Sequence, residues 1–75
     1  MNYLHDAKGR RVLYVTVDEF ARAYMVTRQS VWNWINGGLP AIWIGDKRHG
    51  CHMIPWVEAR DVLVRDAGLV PRKNF

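Results

Sequence analysis

The sequence predicts a small α+β domain with three helices and a two-stranded β-hairpin. Three observations predict it: a helix-capping motif before an apolar stripe, a second helical segment ended by paired glycines, and a glycine-bounded loop between two short apolar runs. The chain has 75 residues, of which 49% are hydrophobic and 24% are charged. This composition is typical of a folded chain, and the length allows one domain and excludes a large enzyme fold.

A basic segment comes first. Residues 1–11 contain Lys8, Arg10 and Arg11 and show no periodicity, so we interpret them as an N-terminal arm. The apolar run at 12–15 predicts that a short strand follows the arm. The three cations either contact phosphate or are simply solvated, and the sequence favours neither interpretation.

The first helix is predicted by the sequence T-x-x-E at 16–19, a capping box. The positions after it are apolar at helical spacing. This stripe predicts the buried face of the helix and consists of Val17, Phe20, Ala21, Tyr24 and Met25.

A second helix is predicted from Thr27, its N-cap, to the glycines at 37 and 38. One face carries Thr27, Val31, Trp34 and Ile35 and is expected to face the core. The other face is rich in amides and consists of Gln29, Trp32, Asn33 and Asn36, with Arg28 extending it at the N-terminus.

The rest of the domain is a hairpin and a closing helix. Strands are predicted at 41–44 and 51–54, around a polar loop at 45–50. Pro55 suits the first turn of a helix, and apolar residues then recur at helical spacing to about residue 65. We therefore place the domain at 12–65 and expect a loose tail at 66–75.

This order of elements describes a winged helix-turn-helix. Its second helix would enter the DNA major groove, and its hairpin wing would lie on phosphates or in a minor groove. Amide and guanidinium groups can pair with base edges, and the start of a helix can hold phosphate. An ordinary solvated helix and loop are the alternative. The predicted DNA-binding residues are Thr27, Arg28, Gln29, Ser30, Trp32, Asn33, Asn36, Lys47, Arg48 and His49.

Other classes of site are not predicted. His49, Cys51 and His52 have a spacing that does not let three groups converge on a metal, and Cys51 is expected to be a small buried residue. Trp34, Trp43 and Trp56 are expected in the core. No nucleophile with its base, paired carboxylates or phosphate loop is present, so we expect neither an enzyme nor a cofactor.

Charge and cysteine content indicate a compartment and a partner. The net charge is +4, which favours a polyanionic partner, double-stranded DNA above all. A single cysteine and no signal-peptide pattern predict a reducing cytoplasm, and every apolar run is too short to span a membrane.

The sequence resembles a known family over residues 13–64. The runs YVTVDEFA at 14–21, VTRQSVWNWI at 26–35, GLPA at 38–41 and Ile54-Pro55 resemble the excisionases, or recombination directionality factors, among MerR-like winged-helix DNA-binding domains. AlpA-like transcription activators share much of this pattern. Two residues depart from it: Met25 stands where glycine is common, and Asn33 where a basic residue is frequent.

The resemblance implies a small bacteriophage protein that acts on DNA in the bacterial host. Such proteins bend attachment-site DNA, associate head to tail on it and direct a tyrosine integrase towards excision, and their C-terminal tails contact the integrase. Residues 27–33 would match the recognition helix and 47–49 the wing. A transcription regulator of a mobile element is the alternative within this fold, and a protein-interaction module anchored by Trp32 is the alternative from another class.

Overall fold

Three helices and a four-stranded antiparallel sheet form the chain in a computed structural model, which describes residues 2–5 and 8–73. The strand order in the sheet is β1-β2-β4-β3. The elements, in chain order, are β1 (Asn2–His5), β2 (Arg11–Thr16), α1 (Val17–Tyr24), α2 (Arg28–Asn36), β3 (Ile42–Gly45), β4 (Gly50–Pro55) and α3 (Trp56–Ala67). The predicted α+β class and the three predicted helices are confirmed.

The sheet has four strands, one more than the three that the sequence predicts. The strand predicted at 12–15 is β2, and it pairs with both β1 and β4. β1 lies inside the segment that we interpreted as an arm without strand character. It is a four-residue edge strand with an exposed Tyr3, so it lacks the apolar alternation by which a strand is recognised. The one local signal is Gly9, whose positive φ of 80° suits the turn between β1 and β2.

The start of α1 is formed by the predicted capping box. The Glu19 amide donates to Thr16 Oγ1 at 3.1 Å, and the Thr16 amide donates to Glu19 Oε1 at 2.9 Å. These two bonds satisfy amides that the first turn of a helix leaves without partners. The capping box therefore fixes where the sheet ends and the helical pair begins.

We expected Met25 in the buried stripe of α1, but it lies outside that stripe. It is 73% exposed and ends the helix with φ 57° and ψ 43°, the left-handed conformation. A Cβ makes this conformation unfavourable, which is why glycine is the usual residue at such helix ends.

We expect Met25→Gly to stabilise the protein by about 0.5–1 kcal/mol, because glycine adopts positive φ without the Cβ penalty. Urea unfolding followed by circular dichroism measures the change. Arg22→Gly is the matched control, since Arg22 is exposed within α1 and glycine there should cost about 1 kcal/mol. A destabilised Met25→Gly would contradict the argument.

The core is an aromatic cluster between α1, α2 and α3. Phe20 stacks on Tyr24 with 4.8 Å between ring centroids, and Trp56 meets Phe20 edge to face at 5.6 Å. Trp34 completes the cluster from α2, 5.7 Å from Tyr24. Large rings supply much buried apolar area per residue, which suits a chain of this length. This packing fixes the position of α2 against α1.

The hairpin of β3 and β4 extends beyond the rest of the sheet. Thr16 at the end of β2 lies opposite Met53, and Met53 lies opposite Ile42. The pairs from Trp43 with His52 to Gly45 with Gly50 lie past this row, where β2 has ended. The outer half of the hairpin is therefore a two-stranded ribbon that projects beside the start of α1.

The C-terminal segment is attached to α1, whereas we expected a loose tail from residue 66. α3 continues to Ala67, and Gly68 ends it in the left-handed conformation. The amides of Arg72 and Lys73 then donate to the Ala23 carbonyl at 2.8 and 3.2 Å. Residues 74 and 75 of that tail lie outside the described residues. Within the described ranges, no helix combines the length and apolar character needed to cross a membrane.

Candidate nucleic-acid interface

Part of each face of α2 has the character that the sequence predicts; Thr27 and Trp32 do not. Val31 is fully buried, and Gln29, Asn33 and Asn36 are exposed. Gln29 Nε2 donates to Asn33 Oδ1 at 3.1 Å, so these two side chains form one hydrogen-bonded unit. Each amide has two N–H donors and an acceptor oxygen, so Gln29 keeps one N–H and Oε1 for a ligand.

The first turn of α2 holds Thr27, Arg28 and Ser30. Thr27 is the predicted N-cap, and its Oγ1 accepts from the Ser30 amide at 3.2 Å; the two hydroxyls are 3.1 Å apart. We also placed Thr27 on the core face, but it is exposed because capping requires it outside the first turn. Arg28 Nε lies 2.7 Å from Asp18 Oδ1 of α1.

Trp32 is half-buried, whereas we expected it to be fully exposed on the amide-rich face. Its ring packs against the edge of the core and lies 4.8 Å from the imidazole of His52 on β4. The ring centroid of Trp43 on β3 lies 5.1 Å from that of the same imidazole. The rings of Trp32, His52 and Trp43 thus connect α2 to the hairpin.

A groove of about 360 Å³ lies between α2 and the hairpin and is lined by these three rings. We call it the aromatic groove. Indole and imidazole rings form part of its wall, and the Asp18–Arg28 pair forms another part. Rings of this kind can pack on the sugars and bases of nucleic acid, and a guanidinium can contact phosphate or a base edge. The lining residues are Thr16, Val17, Asp18, Arg28, Trp32, Trp43, Gly50, Cys51 and His52.

Two side chains that we expected in the core line this groove. Trp43 is 48% exposed, and Cys51 is exposed. Both lie on the outer half of the hairpin, past the row in which β2 stops pairing with β4. Trp43 is nevertheless held in place, because its Nε1 donates to the Asp46 carbonyl at 3.1 Å.

The tip of the hairpin presents Lys47, Arg48 and His49, all exposed. The turn needs glycine on both sides: Gly45 has φ 123°, and a Cβ there would overlap the His49 carbonyl. The Asp46 carboxylate accepts from the amides of His49 and Arg48, the latter at 2.9 Å. Asp46 therefore orders the backbone that carries the three cationic or ionisable side chains.

We expect this order to depend on pH. The hydrogen bonds from the amides of His49 and Arg48 hold the pKa of Asp46 below its ordinary value. A lowered pKa in the folded state means that the stabilisation is complete above the ordinary pKa and is lost as pH falls through the lowered one. NMR titration of the Arg48 and His49 amides should show a midpoint below that of an unstructured aspartate, and Asp46→Asn should abolish it. A midpoint at or above the ordinary value would contradict this role.

The basic residues of the predicted arm lie at the other end of the sheet. Thr16 of β2 lies opposite Met53 of β4. Gly50 is three residues from Met53 along β4, and Arg11 is five residues from Thr16 along β2 in the opposite direction. At about 3.4 Å per residue, they are separated by roughly 27 Å. Arg11 also stacks on Tyr3, with its guanidinium carbon 4.1 Å from the ring centroid. The structure therefore does not bring the arm together with α2 and the hairpin tip.

Comparison of the chain with protein-family models, curated proteins and solved structures found no match. The candidate site is therefore described from the geometry of this chain alone.

The structure adds residues that our interpretation of the sequence did not assign to the site. Asp18, Trp43 and His52 line the groove, and Asp46 orders the hairpin tip. The Asp18–Arg28 contact joins two helices and has no local signal. Among the residues that the structure describes, no group of three or more His, Cys, Asp or Glu side chains could hold a metal ion.

Proposed function

We propose that this chain is a winged helix-turn-helix protein that binds double-stranded DNA. In this proposal α2 enters the major groove and the β3–β4 hairpin is the wing, with the DNA backbone between them crossing the aromatic groove. Base edges are distinguishable in the major groove, and a helix fits there. The observation that carries the proposal is that α2 exposes an amide face and shares a groove, through Arg28 and Trp32, with the projecting hairpin that has Lys47 and Arg48 at its tip.

The proposed contacts divide into two groups. Gln29, Asn33 and Arg28 carry groups that pair with base edges, and these would supply sequence preference. Asn36, one turn beyond Asn33, extends the same face towards the C-terminus of α2.

Contacts to the DNA backbone form the second group. Lys47, Arg48 and His49 would contact phosphates or the narrow minor groove, where the negative potential attracts cations. Thr27 and Ser30 at the start of α2 would orient the helix against phosphate.

Within this class we propose a phage excisionase. The resemblance of residues 13–64 to that family supports the role, and it brings with it DNA bending, head-to-tail self-association and an integrase partner. An integrase gene and attachment sites next to the coding sequence, with selection of attachment-site DNA as the target, would support the excisionase. Selection of a promoter would support the transcription regulator.

Titration of a labelled duplex at several salt concentrations tests DNA binding. For a DNA interface, the logarithm of the binding constant falls linearly with the logarithm of salt, by about 0.9 for each neutralised phosphate. The target sequence is first selected from a random duplex library, and a shuffled duplex of the same composition is the control. Affinity that does not change with salt, or no preference over the shuffled duplex, would reject the proposal and favour a protein partner.

A further inference from the structure

Asp18 and Arg28 form an ion pair at the mouth of the aromatic groove. Asp18 lies in the first turn of α1 and Arg28 is the first residue of α2, and their side chains are 50% and 69% exposed. Exposed pairs of this kind contribute little to stability, because water screens them and ordering two flexible side chains costs entropy. Stability is therefore a weak reason for the pair.

A carboxylate at this place also opposes the proposed partner. Apart from Asp46, the charged side chains of α2 and the hairpin tip are the cations Arg28, Lys47 and Arg48, and a negative charge on the same surface repels DNA phosphates. The acidic residue of the tip, Asp46, is accounted for by its bonds to backbone amides. Asp18 contacts the side chain of Arg28 instead.

The geometry of the pair leaves the recognition end of Arg28 available. A guanidinium has five N–H donors in a fixed plane, and the contact with Asp18 is made through Nε. The two terminal nitrogens form a fork that matches the O6 and N7 acceptors of guanine. Fixing Nε from one side restricts the rotation of the side chain before DNA arrives, so less freedom is lost on binding.

We propose that Asp18 is a positioning residue, which holds Arg28 so that its terminal nitrogens read one base pair, and that it does so at a cost in overall DNA affinity. The inference rests on the proposed DNA-binding function. It assigns specificity at one base pair to a residue of α1, outside the recognition helix.

The test compares Asp18→Asn, Arg28→Ala and the double variant with the unchanged protein. Each is titrated against the selected target, against targets with single base-pair exchanges, and against the shuffled duplex. The base pair at which Arg28→Ala loses preference marks the contact of Arg28. Asp18→Glu, which keeps the charge, is the conservative control, and circular dichroism verifies the fold of each variant.

We expect opposite changes in affinity and preference. Asp18→Asn should bind the shuffled duplex about threefold more tightly, because one repulsive charge is gone. It should lose roughly fivefold or more of the preference at the Arg28 base pair, the lower end of what a bidentate contact provides, and none elsewhere. In the Arg28→Ala background it should change no preference, and Asp18→Glu should retain most of it.

The positioning role is overturned if Asp18→Asn tightens target and shuffled duplexes equally and keeps every preference, or if Arg28→Ala loses preference at no base pair. Both results would leave DNA binding by the unchanged protein intact. Failure of the proposed function is a different result: the unchanged protein itself would show no salt-dependent preference for the target.

Discussion

Trp56→Ala should lower the free energy of unfolding by about 3–5 kcal/mol, the range for removing a large buried aromatic side chain. Trp56 is 2% exposed and contacts Phe20 and Tyr24 edge to face. A chain of this length has roughly 4–11 kcal/mol of stability in total, so the loss is a large fraction of it. Urea unfolding followed by far-ultraviolet circular dichroism measures the change.

Val57→Ala is the matched control for this prediction. Val57 is the next residue on α3, is also apolar and is 51% exposed, so its truncation should change stability by no more than about 0.5 kcal/mol. Similar losses from the two substitutions would show that α3 is not held by the aromatic cluster.

Substitutions at the hairpin tip and on α2 should affect DNA binding in different ways. Arg48→Ala should weaken target and shuffled duplexes about equally and reduce the salt slope by about 0.9, because it removes a phosphate contact. Asn33→Ala or Gln29→Ala should cost about 1–3 kcal/mol on the target and relax preference at individual base positions. Titrations of target and shuffled duplexes at three salt concentrations separate the two effects.

The hydrogen bond between Gln29 and Asn33 adds an expectation about the double variant. Because Gln29 donates to Asn33, loss of either side chain disturbs the orientation of the other. The double alanine variant should therefore lose less than the two single losses combined. If the Gln29, Asn33 and Arg48 variants each lost equal affinity for the target and the shuffled duplex, the proposed placement of α2 in the major groove would be wrong.

Local signals predicted the elements that have local causes. The capping box at Thr16 and Glu19, the N-cap at Thr27 and the glycine at the end of α2 act within a few residues, and the helix bounds follow from them. β1 was not predicted, because a short edge strand depends on its partner β2 rather than on its own pattern. The attachment of residues 72 and 73 to Ala23 is likewise a tertiary contact that no spacing in the sequence expresses.

In the candidate site too, features with local causes could be predicted and features that depend on tertiary packing could not. Which side of α2 is exposed could be predicted, because helical periodicity separates Val31 from Asn33. The exposure of Trp43 could not, since an apolar residue in a strand is buried only where another element covers that face. The contact between Asp18 and Arg28 depends on how α1 and α2 cross, which is decided by the packing of Phe20, Tyr24 and Trp34.

The overhang of the β3–β4 hairpin past the end of β2 has a consequence for motion. A two-stranded ribbon is marginally stable by itself in water, so the pairs beyond the Trp43–His52 row, which packs on Trp32, should open independently of the core. In hydrogen exchange, the backbone amides of Ile44 and Cys51 should then lose protection well before those of Val15 and Ile54. In the proposed complex, a ribbon that bends where it leaves the sheet can follow changes in the width of the DNA groove while the helices stay in place.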